Sequence, residues 1–206
     1  MRLILIRHGQ TDHNAADLVQ GQTDSRLSER GRVQAELAGR CLAEMPIDAV
    51  YVSDLERALE TASIISAALP EPEPVIDDRL REQHFGVFER RPIVELLEDM
   101  AAKKQDFGTF VPPGGETRPR FHARIASFLE DAGERHSNES VVAVTHYGVI
   151  NIVMGSFLRR EAPLATDWRV ENGSITIFDI GRDGTVDAVE LNGTAHLLPE
   201  GDAILS

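Results

Sequence analysis

Residues 3–14 read Leu3-Ile4-Leu5-Ile6-Arg7-His8-Gly9-Gln10-Thr11-Asp12-His13-Asn14. Four apolar residues in succession, followed at once by polar ones, have the length and composition of a strand buried on both faces, as in a parallel sheet. The run stops at a cation, an imidazole and a glycine. Ligands of open α/β sheets bind beyond the carboxyl ends of the strands, so Arg7 and His8 are suited to chemistry on an anion, and Gly9 lets the backbone turn. Taken alone, Arg7-His8-Gly9 fits an ordinary strand-to-helix turn with a surface histidine equally well. The rest of the chain discriminates between the two.

The chain has 206 residues, 42% hydrophobic and 27% charged. That is enough for one domain, residues 1–206, with a substantial core. Its single cysteine, Cys41, excludes an internal disulfide and fits a reducing compartment. No basic-then-apolar leader pattern opens the sequence and no run reaches the ~20 apolar residues of a membrane span; a cytoplasmic protein is expected. A net charge of −13 argues against nucleic-acid and anionic-membrane partners. An anionic substrate would have to be met by arginines gathered locally.

Beyond the first strand, residues 15–26 read as a loop. Ser28 caps a helix to about Met45, with Val33, Leu37, Cys41 and Met45 as an apolar row. A second strand covers 48–52 and ends in Ser53-Asp54. The helix after it carries Leu55, Leu59, Ala62, Ile65 and Leu69 on its inner side, until Pro70, Pro72 and Pro74 stop it before an extended segment at 75–77. Residues 79–91 form a mixed loop containing Glu82, 92–104 a helix, and 105–115 a loop. A long helix runs to about Arg135 with Phe121, Ile125, Phe128 and Ala132 inward and His122 and His136 toward solvent. The strand 141–144 ends in Thr145-His146 before a helix over 148–158. Residues 174–180 and 185–191, joined by Gly181-Arg182-Asp183-Gly184, read as a β-hairpin. Strands alternating with helices predict a three-layer α/β/α sandwich: a mostly parallel sheet with an antiparallel element near the C-terminus.

Three strands therefore end alike, in Arg7-His8, in Ser53-Asp54 with Arg57 one turn into the next helix, and in Thr145-His146. If they are parallel, two histidines, two arginines and the loop bearing Glu82 converge on one edge. Such a set suits a phosphate. Two guanidinium forks can grip one phosphoryl group from two sides. An imidazole between cations stays neutral and nucleophilic. A second histidine can stabilise the oxygens of the transferring group, and a carboxylic acid can protonate the leaving alkoxide.

The motifs LIRHGQTDHN (5–14), QGQTDSRLSERG (20–31), VSDLERALETA (52–62), LREQHFG (80–86), PGGET (113–117), VTHYGVI (144–150) and NGTAHL (192–197), in this order, resemble the histidine phosphatase superfamily in its phosphoglycerate-mutase-like branch. The resemblance runs from Leu3 to Leu197. It implies a phosphoglycerate-mutase-like fold without a metal or other cofactor. It further implies His8 as a nucleophile that becomes phosphohistidine, a phosphate pocket completed by Arg7, Arg57 and His146, contributions from Asn14 and Gln20, and Glu82 as general acid. The sequence departs from the family pattern at Gln10, at Arg26, at Arg90-Arg91 and at Tyr147, which stands where glycine is usual; these changes bear on substrate choice. His196 falls in a late His-Leu pair where structural support and substrate contact are both open.

The reading that results is a phosphatase acting on a small phosphate monoester through phosphohistidine. A mutase of the same fold is the alternative, disfavoured because only residues 86–113 separate the Glu82 region from the PGGET segment. A metal-dependent hydrolase built on His8, Asp12, His13, His84 and His146 has suitable residue types but lacks HExxH and HxH spacing. A non-catalytic phosphate binder would need the arginines but neither nucleophile nor acid. The partner expected is a small-molecule phosphate ester. A homodimer is compatible with the sequence, which leaves oligomeric state open.

Overall fold

In the computed structural model, which describes residues 1–69, 71–158 and 169–198, the strand read at the N-terminus is β1 (Arg2–Arg7). It lies inside a six-stranded sheet, counted among the described residues. The other strands are β2 (Ala49–Val52), β3 (Val75–Ile76), β4 (Ser140–Thr145), β5 (Ile175–Ile180) and β6 (Val186–Gly193), in the order β3-β2-β4-β1-β5-β6. The pairs β3–β2, β2–β4 and β4–β1 are parallel, and β1–β5 and β5–β6 are antiparallel. The sheet is thus mostly parallel with an antiparallel C-terminal element, as expected. β1 stands where one arrangement gives way to the other.

Strand residues alternate between two cores, as the two-residue period of a strand requires. Ile4, Ile6, Val50, Val52, Val142 and Val144 pack on one face against Ala38, Leu42, Ala58, Ala62 and Ile65. These helix residues belong to α2 (Glu29–Leu42) and α3 (Glu56–Ser66), which follow the four-residue helix α1 (Asp12–Ala15). Leu3, Leu5, Val141 and Ala143 pack on the opposite face against Phe121, Ile125, Phe128, Val149, Ile150 and Val153. Those come from α5 (Arg118–Arg135) and α6 (Tyr147–Phe157), which follow α4 (Ile93–Ala102). A third cluster, Val19, Phe88, Leu96, Met100 and Phe110, joins α4 to the loop after α1. Backbone bonds from Val19 N to Arg91 O (2.9 Å) and from Arg90 N to Val19 O (2.7 Å) bind the two segments.

Four local expectations need correction. The sequence predicts no helix at α1, which ends where the loop over 15–26 is expected to begin: Thr11 caps it, its hydroxyl accepting from Asn14 N (3.1 Å) while Asn14 Oδ1 accepts from Thr11 N (3.1 Å), a capping box too short to leave an apolar periodicity. Ser28 does cap α2, accepting from Gly31 N at 3.1 Å, but the helix ends at Leu42 rather than near Met45. Its buried side is Gly31, Gln34, Ala35, Ala38, Gly39 and Leu42, and Val33 is exposed. A row spaced by four advances about 40° per step around a helix of 3.6 residues per turn, so it cannot stay on one face, and small residues let α3 and the sheet approach. His136 does not face solvent: its Nε2 lies 2.9 Å from the Tyr51 hydroxyl and its Nδ1 2.6 Å from Glu139. Pro70, read as a helix stop, lies outside the described residues.

Candidate active site

The registers Arg7↔Thr145 and Val52↔Val144 set the carboxyl ends of β1, β4 and β2 side by side. The residues just beyond them, His8, His146 and Ser53, therefore meet at one edge. The His8 and His146 rings are 5.2 Å apart between centroids, inclined at 55°. His8 Nδ1 lies 2.8 Å from the Gly9 carbonyl oxygen. A carbonyl only accepts, so Nδ1 carries the proton and Nε2 keeps its lone pair. Gly9 has a role other than the expected one: it does not adopt a positive φ, and a Cβ there would meet Gly31 O at 2.3 Å, so what it provides is close approach to the start of α2. Its N–H donates to the Thr61 hydroxyl (3.1 Å), which donates to Arg57 O (2.7 Å).

Burial, then the charges of Arg57 and Arg7, hold His8 well below the ordinary imidazole value, against the pull of the Gly9 hydrogen bond. Burial and the charge of Arg57 depress His146 in the same way. Both rings are neutral at neutral pH. His146 Nε2 pairs with the Ser53 hydroxyl at 2.8 Å and its Nδ1 is buried without a partner. The ring is fully buried and lies behind the cleft wall rather than in it.

Arg57, on the inner side of α3, is almost fully buried. Its terminal nitrogens donate to Thr23 O (2.8 Å) and Gly21 O (2.7 Å), binding α3 to the loop after α1. Burial lowers it to about 10, the charge of Glu82 acting in the opposite sense. Arg7 donates to Val170 O at 2.6 Å and stacks on the Tyr147 ring at 5.4 Å. The Asn14 amide oxygen accepts from Thr11 N (3.1 Å) and Asn172 Nδ2 (3.2 Å), and the Gln20 amide oxygen accepts from the Thr11 hydroxyl (3.0 Å), which leaves their NH₂ groups as donors toward an anion. Glu82 is held through both oxygens, accepting from Gln83 N (2.8 Å) and Gly148 N (2.9 Å). Only glycine at 148 leaves Glu82 in this position: a Cβ there would stand 2.2 Å from Glu82 Oε1.

Arg7, His8, Asn14, Gln20, Arg57 and Glu82 all line one cleft of about 720 Å³. Of the seven site residues expected from sequence, His146 alone is absent from its wall. Ile93, Leu96, Leu97 and Phe107 form an apolar side. The remaining polar lining was missed. Gln83 lies within LREQHFG directly after Glu82, where the motif assigns it no role, and Arg118 and Asn172 stand in none of the motifs. Asn172 donates to His8 O (3.1 Å) and Asn14 Oδ1 (3.2 Å). Tyr147 reaches the cleft, whereas Arg26, Arg90 and Arg91 do not line it. His196 also stays out of the cleft, its Nε2 donating to Gly173 O at 3.0 Å, and Gly173 N in turn donates to Arg7 O at 3.0 Å. Among the described residues, no three His, Cys, Asp or Glu side chains gather as metal ligands, so the five residues of the metal-hydrolase alternative do not form one group. No described helix is long and apolar enough to cross a membrane.

A family model described as "Histidine phosphatase superfamily (branch 1)" matches residues 3–192. Phosphoglycerate mutase-like protein 4 of Arabidopsis thaliana is 33% identical, over 96% of this chain and 87% of that protein. The adenosylcobalamin/alpha-ribazole phosphatase of Salmonella typhimurium is 32% identical, over 97% of this chain and all of that protein. Among solved structures, Bacillus stearothermophilus YhfR superposes with a TM-score of 0.85 at 29% identity, covering 96% of this chain and 99% of that one.

Proposed function

This chain belongs to the histidine phosphatase superfamily, and on that premise we propose that it is a phosphomonoesterase in which His8 carries the phosphoryl group. Arg7 and Arg57 grip the phosphoryl oxygens, with the Asn14 and Gln20 amides as further donors. His8 Nε2 attacks phosphorus as the bond to the ester oxygen breaks, and Glu82 gives its proton to the departing alkoxide. Glu82 then takes a proton from water as that water attacks phosphohistidine, releasing inorganic phosphate and restoring His8. His146 acts from beneath, its unpartnered Nδ1 serving the transferring oxygens once the site is occupied. In this scheme catalysis is positioning together with fixed positive charge.

The observation that carries the reading is the 2.8 Å contact from His8 Nδ1 to Gly9 O, in a ring kept neutral by burial and by Arg57 and Arg7. It supports a free, unprotonated Nε2 at neutral pH. The substrate is a small phosphate ester. Rapid quench followed by intact-mass spectrometry is expected to find one acid-labile phosphoryl group on the wild type and none on His8→Ala, which should have lost turnover. Turnover retained by His8→Ala would remove His8 as nucleophile, and transfer to a second hydroxyl faster than phosphate release would make the enzyme a mutase.

A further inference from the structure

Arg118, the first residue of α5, is a buried cation that the reaction above does not use. It is 8% exposed and lines the cleft. One terminal nitrogen donates to Gln83 Oε1 at 3.0 Å, and Nε is buried without a partner. The nearby carboxylate that could neutralise it is committed elsewhere, because Glu116 is forked by Arg124 with two 2.9 Å bonds. Gln83 cannot swing away, since its amide nitrogen is anchored on Glu116 O at 3.0 Å. No ion pair to Arg118 forms among the described residues, where Arg124–Glu116 takes that place. A buried charge with no ion pair among the described residues is unfavourable, and the opening it lines is the cleft.

Arg118 stands beside the acid: its partner Gln83 directly follows Glu82 and donates its backbone N–H to Glu82 Oε1 at 2.8 Å. Arg7 adjoins His8 in the chain, and Arg57 is tied to Gly9 N through the Thr61 hydroxyl, so the phosphate grip is built around the nucleophile and Arg118 around the acid, where the alcohol part of the ester sits. We propose that Arg118, held by Gln83, is a specificity-determining residue that binds an anionic substituent, carboxylate or second phosphoryl, on the alcohol portion of the substrate. This rests on the phosphatase reading for the words "alcohol portion" alone; the anion site stands on its own geometry.

The test is calorimetric titration of the His8→Ala protein with two matched ligand pairs. 3-Phosphoglycerate and glycerol 3-phosphate differ by a carboxylate; fructose 1,6-bisphosphate and fructose 6-phosphate differ by a phosphoryl group. In at least one pair the anion-bearing member should bind about tenfold or more tightly, the strength of a charge-assisted hydrogen bond. Which pair discriminates identifies the anion. Adding Arg118→Met should reduce that ratio to about twofold or less, while Arg118→Lys should retain part of it. A residue that merely positioned Glu82 would weaken both members equally and leave the ratio intact, which would overturn the proposal. So would a His8→Ala parent that discriminates in neither pair, a result that depends on no Arg118 variant folding. If the wild type releases no phosphate from any ester yet the ratio responds to Arg118, the phosphatase reading fails and the anion site stands.

Discussion

Gly148→Ala separates the proposed acid from the rest of the site. The added Cβ would stand 2.2 Å from Glu82 Oε1 and 3.1 Å from its carboxyl carbon. A carbon–oxygen contact settles near about 3.3 Å, so the carboxylate has to retreat by about 1 Å and surrender the 2.9 Å bond from the residue 148 amide. Misplacement of a reacting group on that scale costs about 100-fold in rate, or about 2.7 kcal/mol of barrier. Folding should hardly suffer: the clashing oxygen is the end of a flexible side chain, Phe121 Cε1 at 3.2 Å needs to give only slightly, and alanine favours a helix by up to about 1 kcal/mol over glycine. The assay compares kcat/KM, which reports the steps up to phosphohistidine and leaves out its hydrolysis, on an alkyl phosphate and on p-nitrophenyl phosphate, whose leaving group needs no proton. The alkyl value should fall about 100-fold and the aryl value much less, with Tm nearly unchanged. Equal losses of kcat/KM on both esters, or an alkyl value within about threefold of wild type, would refute the assignment of Glu82 as acid.

Stability should respond to pH through the two buried imidazoles. His8 and His146 are both held well below the ordinary value by burial and arginine charge, so the unfolded chain binds more protons than the folded one as pH falls through the ordinary imidazole range. Their contribution is complete above that range and is lost as pH drops; urea midpoints should fall between about pH 7.5 and about pH 5.5, and a midpoint that stays level or rises would contradict this. Phe128→Ala empties a fully buried position whose ring meets Tyr51 edge-on at 5.4 Å. It should lose about 3–5 kcal/mol of stability by urea denaturation, and a loss under about 1 kcal/mol would show that the core on that face collapses around the gap.

Much of the fold was legible because it rests on local patterns. The runs at β1 and β4 are apolar enough to be strands buried on both faces, and the change of period after Gly173 marks the hairpin of β5 and β6. Where a pattern failed, tertiary packing had overridden it. The four-spaced row on α2 is apolar, yet Ala35, Ala38 and Gly39 are buried instead, because small side chains set how closely helices approach. His136 looked like a polar helix-end residue and is held between Tyr51, from a distant strand, and Glu139.

By itself the sequence determined the type of chemistry: a histidine and an arginine at one strand end, a second histidine at another, and an arginine one turn into a helix are local facts that survive without coordinates. Register decided the rest. Parallel pairing of β1 with β4 and of β4 with β2 brings Arg7-His8, His146 and Ser53 to one edge, and the packing of α3 beneath the loop after α1 buries Arg57. Only the folded chain sets His146 behind the cleft wall instead of in it, directs a hydrogen bond from His8 Nδ1 to Gly9 O, and leaves Arg118 facing the cleft with Gln83 beside it. Apart from the bond between the neighbours His8 and Gly9, these follow from which groups meet across 35 to 138 residues of chain (Gln83 with Arg118, Arg7 with Thr145), and no spacing read along the sequence reports such meetings.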